Sequence, residues 1–268
     1  MQSIQISNTN LKTSRFIFGT ASLFNVGARK ERLNLLSAAV DHGFTHFDLA
    51  PYYGFGMSER DMSFILKRHP FISVTTKVGI YSPGGENQSA ASIFLRKLAG
   101  RIYSPISKPS INFSIAQAQI SLEGSLRRLG RDHIELYMLH EPTWDLLNSE
   151  EWLKWLETKV QAGLVGNFGL ALTADKLEPF LEKKSKLANV VQVLDSLDRK
   201  EADILPSYAK PLQITYGYLS AMYDRGPKIS VEDALKAALG RNKDGAIIVS
   251  TKKIKRLEQY TKILKQIS

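Results

Sequence analysis

The sequence contains no cysteine. That removes disulfides, thiolate metal ligands and cysteine nucleophiles, and leaves His, Asp, Glu, Lys and Tyr to carry any chemistry. No stretch approaches the roughly 18 consecutive apolar residues of a membrane span. The opening MQSIQISNTNLKTSRF also lacks the apolar core of a secretory signal, so the expectation is a soluble, cytoplasmic protein. Histidine is scarce. Of His42, His46, His69, His133 and His140, none stands at zinc-type spacing beside carboxylates, and no metal is expected. No GxGxxG loop follows the first apolar run, so a Rossmann dinucleotide site has no support. Acidic residues are the minority charge, 26 against 36 Lys and Arg, a formal net charge of +10. An excess of that size fits nucleic acid, an anionic membrane surface or a phosphorylated small molecule.

What is present is a repeat of alternating elements. Short apolar runs, RFIFGTA, THFDLA, SVTTKVG, IELYMLH, VGNFGLAL, NVVQVLD, PLQITYGYL and GAIIVST, read as eight strands. Between them lie amphipathic segments such as RKERLNLLSAAVDHG, IAQAQISLEGSLRRLG and SEEWLKWLETKVQAG. Leu122, Leu126 and Leu129 make a helical stripe, and Gly43, Gly130 and Gly163 stand where helices should stop. Eight strand–helix units in 268 residues are the count for one closed parallel (β/α)8 barrel, a TIM barrel, occupying residues 1–268 as a single α/β domain. The segment from about Ser82 to Asn112, rich in Gly, Pro and Ser and basic at Arg96, Lys97 and Arg101, is an extended loop after the third strand. It serves either as a lid over substrate or as a surface excursion.

In such a barrel the carboxyl ends of the strands converge on the functional face. Four polar residues fall at or just past those ends: Asp48, Tyr53, Lys77 and His140. Singly, each has an ordinary structural role open to it, a capping aspartate or a loop tyrosine. Lys77 resists that treatment, because a lysine inside an apolar strand needs a partner, and Asp48 on the neighbouring strand supplies one. A phenol is a weak acid at neutral pH, and an adjacent ammonium favours its phenolate. The set suits polarising a carbonyl and protonating the developing alkoxide. No side chain supplies a hydride, so a cofactor is required.

The runs FDLAPYYGFGMSE, TTKVG, SLEGSLRRLGRDHIELYMLHEP and GAIIVSTKKIKRLEQ, in this order, resemble the aldo-keto reductase family over nearly the whole chain. The resemblance implies a catalytic tetrad at Asp48, Tyr53, Lys77 and His140, with Tyr53 as general acid. It implies nicotinamide contacts at Gln192 and Tyr216, and a phosphate-binding segment at Ser250, Thr251, Lys252 and Arg256. That basic cluster points to NADP(H), whose 2′-phosphate rewards cationic recognition; its alternative is a solvated first helical turn. The implied activity is NADPH-dependent reduction of an aldehyde or ketone to an alcohol. The implied partner is a small-molecule carbonyl substrate, with neither nucleic acid nor membrane.

Three departures stand out. Gly169-Leu170-Ala171-Leu172 replaces the Ser-Asn pair that holds the carboxamide in the family, and Tyr260 falls where an adenine-binding Asn is usual, a ring able to stack on the base but not to reproduce an amide's hydrogen bonds unless Gln259 supplies them. The link after Leu219 and the tail after the last helix are also short. They keep a second function open, an NADP(H)-binding regulatory barrel with little turnover. Trp144, just past His140, is a candidate wall of the substrate pocket.

Overall fold

The computed structural model describes residues 1–86, 88, 92, 108–224 and 229–267. Eight strands, β3 (Phe16–Gly19), β4 (His46–Asp48), β5 (Ser73–Val78), β8 (Ile134–His140), β9 (Val165–Leu172), β10 (Val191–Leu194), β11 (Ile214–Tyr216) and β12 (Ala246–Val249), close into a barrel in chain order. Every neighbouring pair is parallel. All eight predicted strands are present. The seventh is shorter than expected: Gly217, at φ +105°, turns the chain out of β11 and directly into a helix.

The helices that cover the barrel are α1 (Arg29–Asp41), α2 (Met57–Arg68), α3 (Ile115–Leu129), α4 (Ser149–Gln161), α5 (Ala174–Glu182), α6 (Ile204–Ser207), α7 (Tyr218–Asp224), α8 (Val231–Arg241) and α9 (Ile254–Ile267). α3 shows the local logic. Ser114 caps it by accepting from the Gln117 amide, while Leu122 and Leu129 bury their side chains against the sheet. The helix stops at Gly130, which is left-handed at φ +66° and returns its N–H to the carbonyls of the last turn. A Cβ there would meet nothing closer than Lys67 Cε at 3.9 Å, so substitution is penalised by conformation and not by crowding. Gly130→Ala is therefore expected to destabilise the protein by about 1 kcal/mol, measured by urea unfolding, with activity per folded molecule unchanged.

Strand alternation divides the core into two. Outward residues such as Phe16, Phe18, Val74, Tyr137 and Leu139 pack beneath the helices. Inward residues Ile17, Leu136, Met138, Ile214 and Ala246 fill the barrel with Ile6 and Leu11. Those last two come from the turn joining an antiparallel hairpin, β1 (Ser3–Gln5) with β2 (Lys12–Ser14), so the hairpin plugs the barrel's amino end. The carboxyl end is left for function. Behind it, buried ion pairs lock the helices: Glu59 binds Arg128 at 2.6 Å and the Thr76 hydroxyl at 2.6 Å, and Asp61 binds Arg32 at 2.6 Å.

The excursion after β5 leaves through β6 (Ile80–Tyr81) and returns through β7 (Ser110–Ile111), which pair antiparallel at its base. Arg96, Lys97 and Arg101 lie outside the described residues, as does the link at 225–228. Among the described residues no helix is long and apolar enough to cross a membrane.

Candidate active site

Register brings the predicted residues to one rim. Gly19 pairs Asp48, Asp48 pairs Thr75, and Lys77 lies opposite Met138; His140 then pairs Ala171, and Ala171 pairs Gln192. Alternation turns Asp48, Lys77, His140 and Gln192 the same way, into the barrel mouth. Tyr53 reaches the mouth from the loop after β4. There Gly54, Phe55 and Gly56 all have positive φ, and the Gly56 amide bonds back to the Pro51 carbonyl at 2.7 Å. Two glycines in three positions make that tight coil affordable to the chain.

The Lys77 ammonium is the centre of the arrangement. It donates to Asp48 Oδ1 at 2.6 Å, the Leu49 carbonyl at 2.9 Å and the Tyr53 phenol oxygen at 3.3 Å. An ammonium has three N–H donors, and all three are used. The His140 ring stands edge-on to Tyr53, centroids 5.9 Å apart, and its Nδ1 has no partner among the described residues.

Burial dominates the electrostatics. It pushes the Asp48 carboxyl upward and the Lys77 ammonium downward, each against the attraction of the other. Tyr53 is held well above the ordinary phenol value, first by burial and then by the negative charges of Asp48 and Glu141. This corrects the expectation that Lys77 would favour the phenolate at rest: its charge is committed to Asp48, and Tyr53 keeps its proton. His140 is lowered to about 3 by burial and by the positive charges of Lys77 and Lys176, so its imidazole is neutral.

These groups line a cavity of about 250 Å³ together with Gln192, Tyr216 and Ser250. Gln192 faces Asp48 and favours its carboxylate, and the Gln192 Oε1 is buried without a partner among the described residues. The remaining predicted contacts lie on the outer rim. Thr251 accepts the Lys253 amide at 3.0 Å to open α9, Lys252 is exposed, and Arg256 lines a separate groove beside Gln259. Two sequence expectations fail. Tyr260 is buried at 1% exposure, packed edge-on to Phe16 and donating to the Ser250 carbonyl at 3.0 Å, so no ring is free to stack on a base. Trp144 packs on Phe180, centroids 5.1 Å apart, and does not line the cavity. Glu141, which does line it, was missed; its only signal was adjacency to His140.

Comparison with known proteins agrees with this fold. The chain is 29% identical over 179 residues to an uncharacterised oxidoreductase of Bacillus subtilis, covering 63% of this chain and 48% of that protein. It is 29% identical over 180 residues to a 6-dehydroglucose reductase of Agrobacterium fabrum, covering 64% and 54%. The matched part thus spans about half the length of these relatives. A solved aldo-keto reductase from Bacillus halodurans superposes with a TM-score of 0.76 over 99% of this chain and 91% of its own, at 20% identity. One from Klebsiella pneumoniae, in complex with NADPH, gives 0.67 over 98% and 89%, at 18% identity. At such identities the structures speak for the fold. A model of the Aldo/keto reductase family matches residues 15–216, from the first barrel strand through the last residue of β11, and the chain belongs to that family.

Proposed function

We propose that the protein reduces an aldehyde or ketone to an alcohol using NADPH, with Tyr53 as the general acid. The observation that carries this reading is the Lys77 ammonium, saturated by Asp48, Leu49 and the Tyr53 oxygen at the floor of a cavity whose other wall is a neutral histidine. When bound, the reduced nicotinamide supplies the hydride that the side chains lack. The residues fit such a group: the orphaned Gln192 Oε1 suits an amide N–H, Tyr216 offers a ring at the cavity wall, and the basic start of α9 suits phosphates.

The chain's own part is proton delivery. Neutral His140 offers an N–H to the carbonyl oxygen and so orients it. Tyr53, held protonated by its surroundings, donates to that oxygen as negative charge develops there, because an alkoxide is far more basic than a phenolate. Lys77 then donates to the phenolate oxygen, and Asp48 fixes the ammonium in place.

The test is consumption of NADPH across a panel of aldehydes and ketones, with the alcohol product identified. Turnover with any member supports the reading. Binding of NADPH without consumption of any carbonyl overturns it in favour of the regulatory barrel, a reading motivated by the apolar Ala171 and Leu172, both buried at the end of β9. Arg256, partly exposed on the first turn of α9, is proposed to meet the 2′-phosphate. Arg256→Ala is then expected to weaken NADPH about tenfold while leaving NADH unchanged, as loss of one charge-assisted contact should. Equal weakening of both coenzymes would remove that assignment.

A further inference from the structure

Glu141 occupies an unusual position for an acidic residue. Its φ is +55°, in the left-handed region that residues other than Gly, Asn and Asp seldom adopt, and its N–H bonds to the Ala171 carbonyl at 2.8 Å. That bond extends the parallel β8–β9 ladder one residue past His140, so Glu141 is held beside the end of β9, where Ala171 presents only a methyl group. Glu141 Oε2 binds Lys176 Nζ at 2.7 Å, while Oε1 accepts from the Tyr216 hydroxyl at 3.4 Å. Glu141 lines the cavity and Lys176, on α5, does not. The pair is therefore polarised, carboxylate inward and ammonium behind.

Beside Glu141 on the same rim lies the unpartnered Gln192 Oε1. This wall carries two acceptor oxygens, Glu141 Oε1 and Gln192 Oε1, and the Tyr216 hydroxyl already donates to Glu141. A ligand face that meets it should carry N–H donors, positive charge, or both. At its nicotinamide end such a cofactor presents the N–H donors of the carboxamide and a ring that is cationic in the oxidised form alone.

We infer that Glu141 is a positioning residue for the nicotinamide end of the cofactor, accepting the carboxamide N–H together with Gln192 and favouring the oxidised form over the reduced one, with Lys176 tempering its charge. The inference rests on the NAD(P)H reading above. It biases the equilibrium on the enzyme: a wall that prefers the oxidised coenzyme favours, among the bound states, the one reached after hydride has left for the carbonyl. It also accounts for a conformation that is otherwise a cost without return.

The experiment is equilibrium titration of the full chain, without substrate, with oxidised and reduced coenzyme separately, using both NADP and NAD. Glu141→Gln keeps the shape and an acceptor oxygen but removes the charge. Its expected effect is a rise of about tenfold in the ratio of the oxidised to the reduced Kd, as loss of one partly compensated charge a few ångströms away predicts. Lys176→Met removes the compensating ammonium and should move the same ratio the opposite way. A ratio unchanged in Glu141→Gln, with wild-type binding intact, overturns the inference and leaves the reductase reading standing. Equal weakening of both forms does the same, by making Glu141 a neutral contact. Failure of the wild-type chain to bind any of the four coenzyme forms overturns the cofactor reading itself.

Discussion

Tyr53→Phe is expected to lower kcat for carbonyl reduction by about 10²–10⁴-fold while leaving coenzyme affinity near that of the wild type. The substitution deletes one oxygen. The ring stays, still edge-on to His140 and with Lys77 Nζ 4.8 Å from its centroid, so the cavity keeps its shape. What disappears is the proton donor and one of the three acceptors that saturate Lys77. Lys77 cannot take over, since its remaining bonds tie it to Asp48 and the Leu49 carbonyl, and His140, near neutral pH, is an orienting imidazole and not an acid. A loss in kcat with unchanged affinity is the signature of an interaction made in the transition state. Steady-state kinetics paired with coenzyme titration checks it, and full turnover by the Phe variant would sink the mechanism.

Much of this site was legible in the sequence because its residues announce themselves locally. A lysine in the middle of TTKVG conflicts with an apolar strand, and the conflict forces a partner from the next strand; Asp48 is there in the structure at 2.6 Å. The barrel was legible for a similar reason, since eight apolar runs with glycine stops at Gly43, Gly130 and Gly163 leave few other architectures, and all three glycines take positive φ. Glu141 was not legible. Its partners Lys176 and Tyr216 stand 35 and 75 positions further on, and only the closing of β8, β9, β10 and β11 into one rim brings the three together. Tyr260 was misjudged on motif position although the helical stripe Leu257, Tyr260, Ile263, Leu264 marked it as core, and the structure buries all four. The plug formed by Ile6 and Leu11 had no local signature either, because a five-residue separation in a polar hairpin says nothing about a barrel it must cap.

Acid should unfold this protein through its buried histidines. His46 lies at 0% exposure between the Ser73 hydroxyl at 2.6 Å and the Thr75 hydroxyl at 2.7 Å, one inward layer below Asp48 and Lys77. Both ring nitrogens are engaged, and burial together with the Lys77 charge lowers the imidazole to about 3. His140 is lowered to about 3 as well. For each, the folded value lies below the unfolded value near 6.5, so between those limits the unfolded chain binds a proton that the native state refuses. Stability is then complete above pH 6.5 and is lost progressively as pH falls toward 3. Each such group steepens the loss, by at most about 1.4 kcal/mol per pH unit within that window. Asp48, raised by burial, takes up a proton in the folded state and offsets part of this. A difference between variants is therefore the clean measurement. His46→Gln, whose amide retains a donor and an acceptor for Ser73 and Thr75, should be the less stable protein at pH 7, yet its stability should fall less steeply from pH 6 to 4, by about 1.4 kcal/mol per unit. Urea unfolding at a series of pH values decides it: parallel curves for the two proteins would mean that His46 accepts its proton without unfolding the barrel. Because His140 also remains neutral until about pH 3, any loss of turnover between pH 6 and 4 should track the unfolded fraction and not a titration of the carbonyl-orienting imidazole.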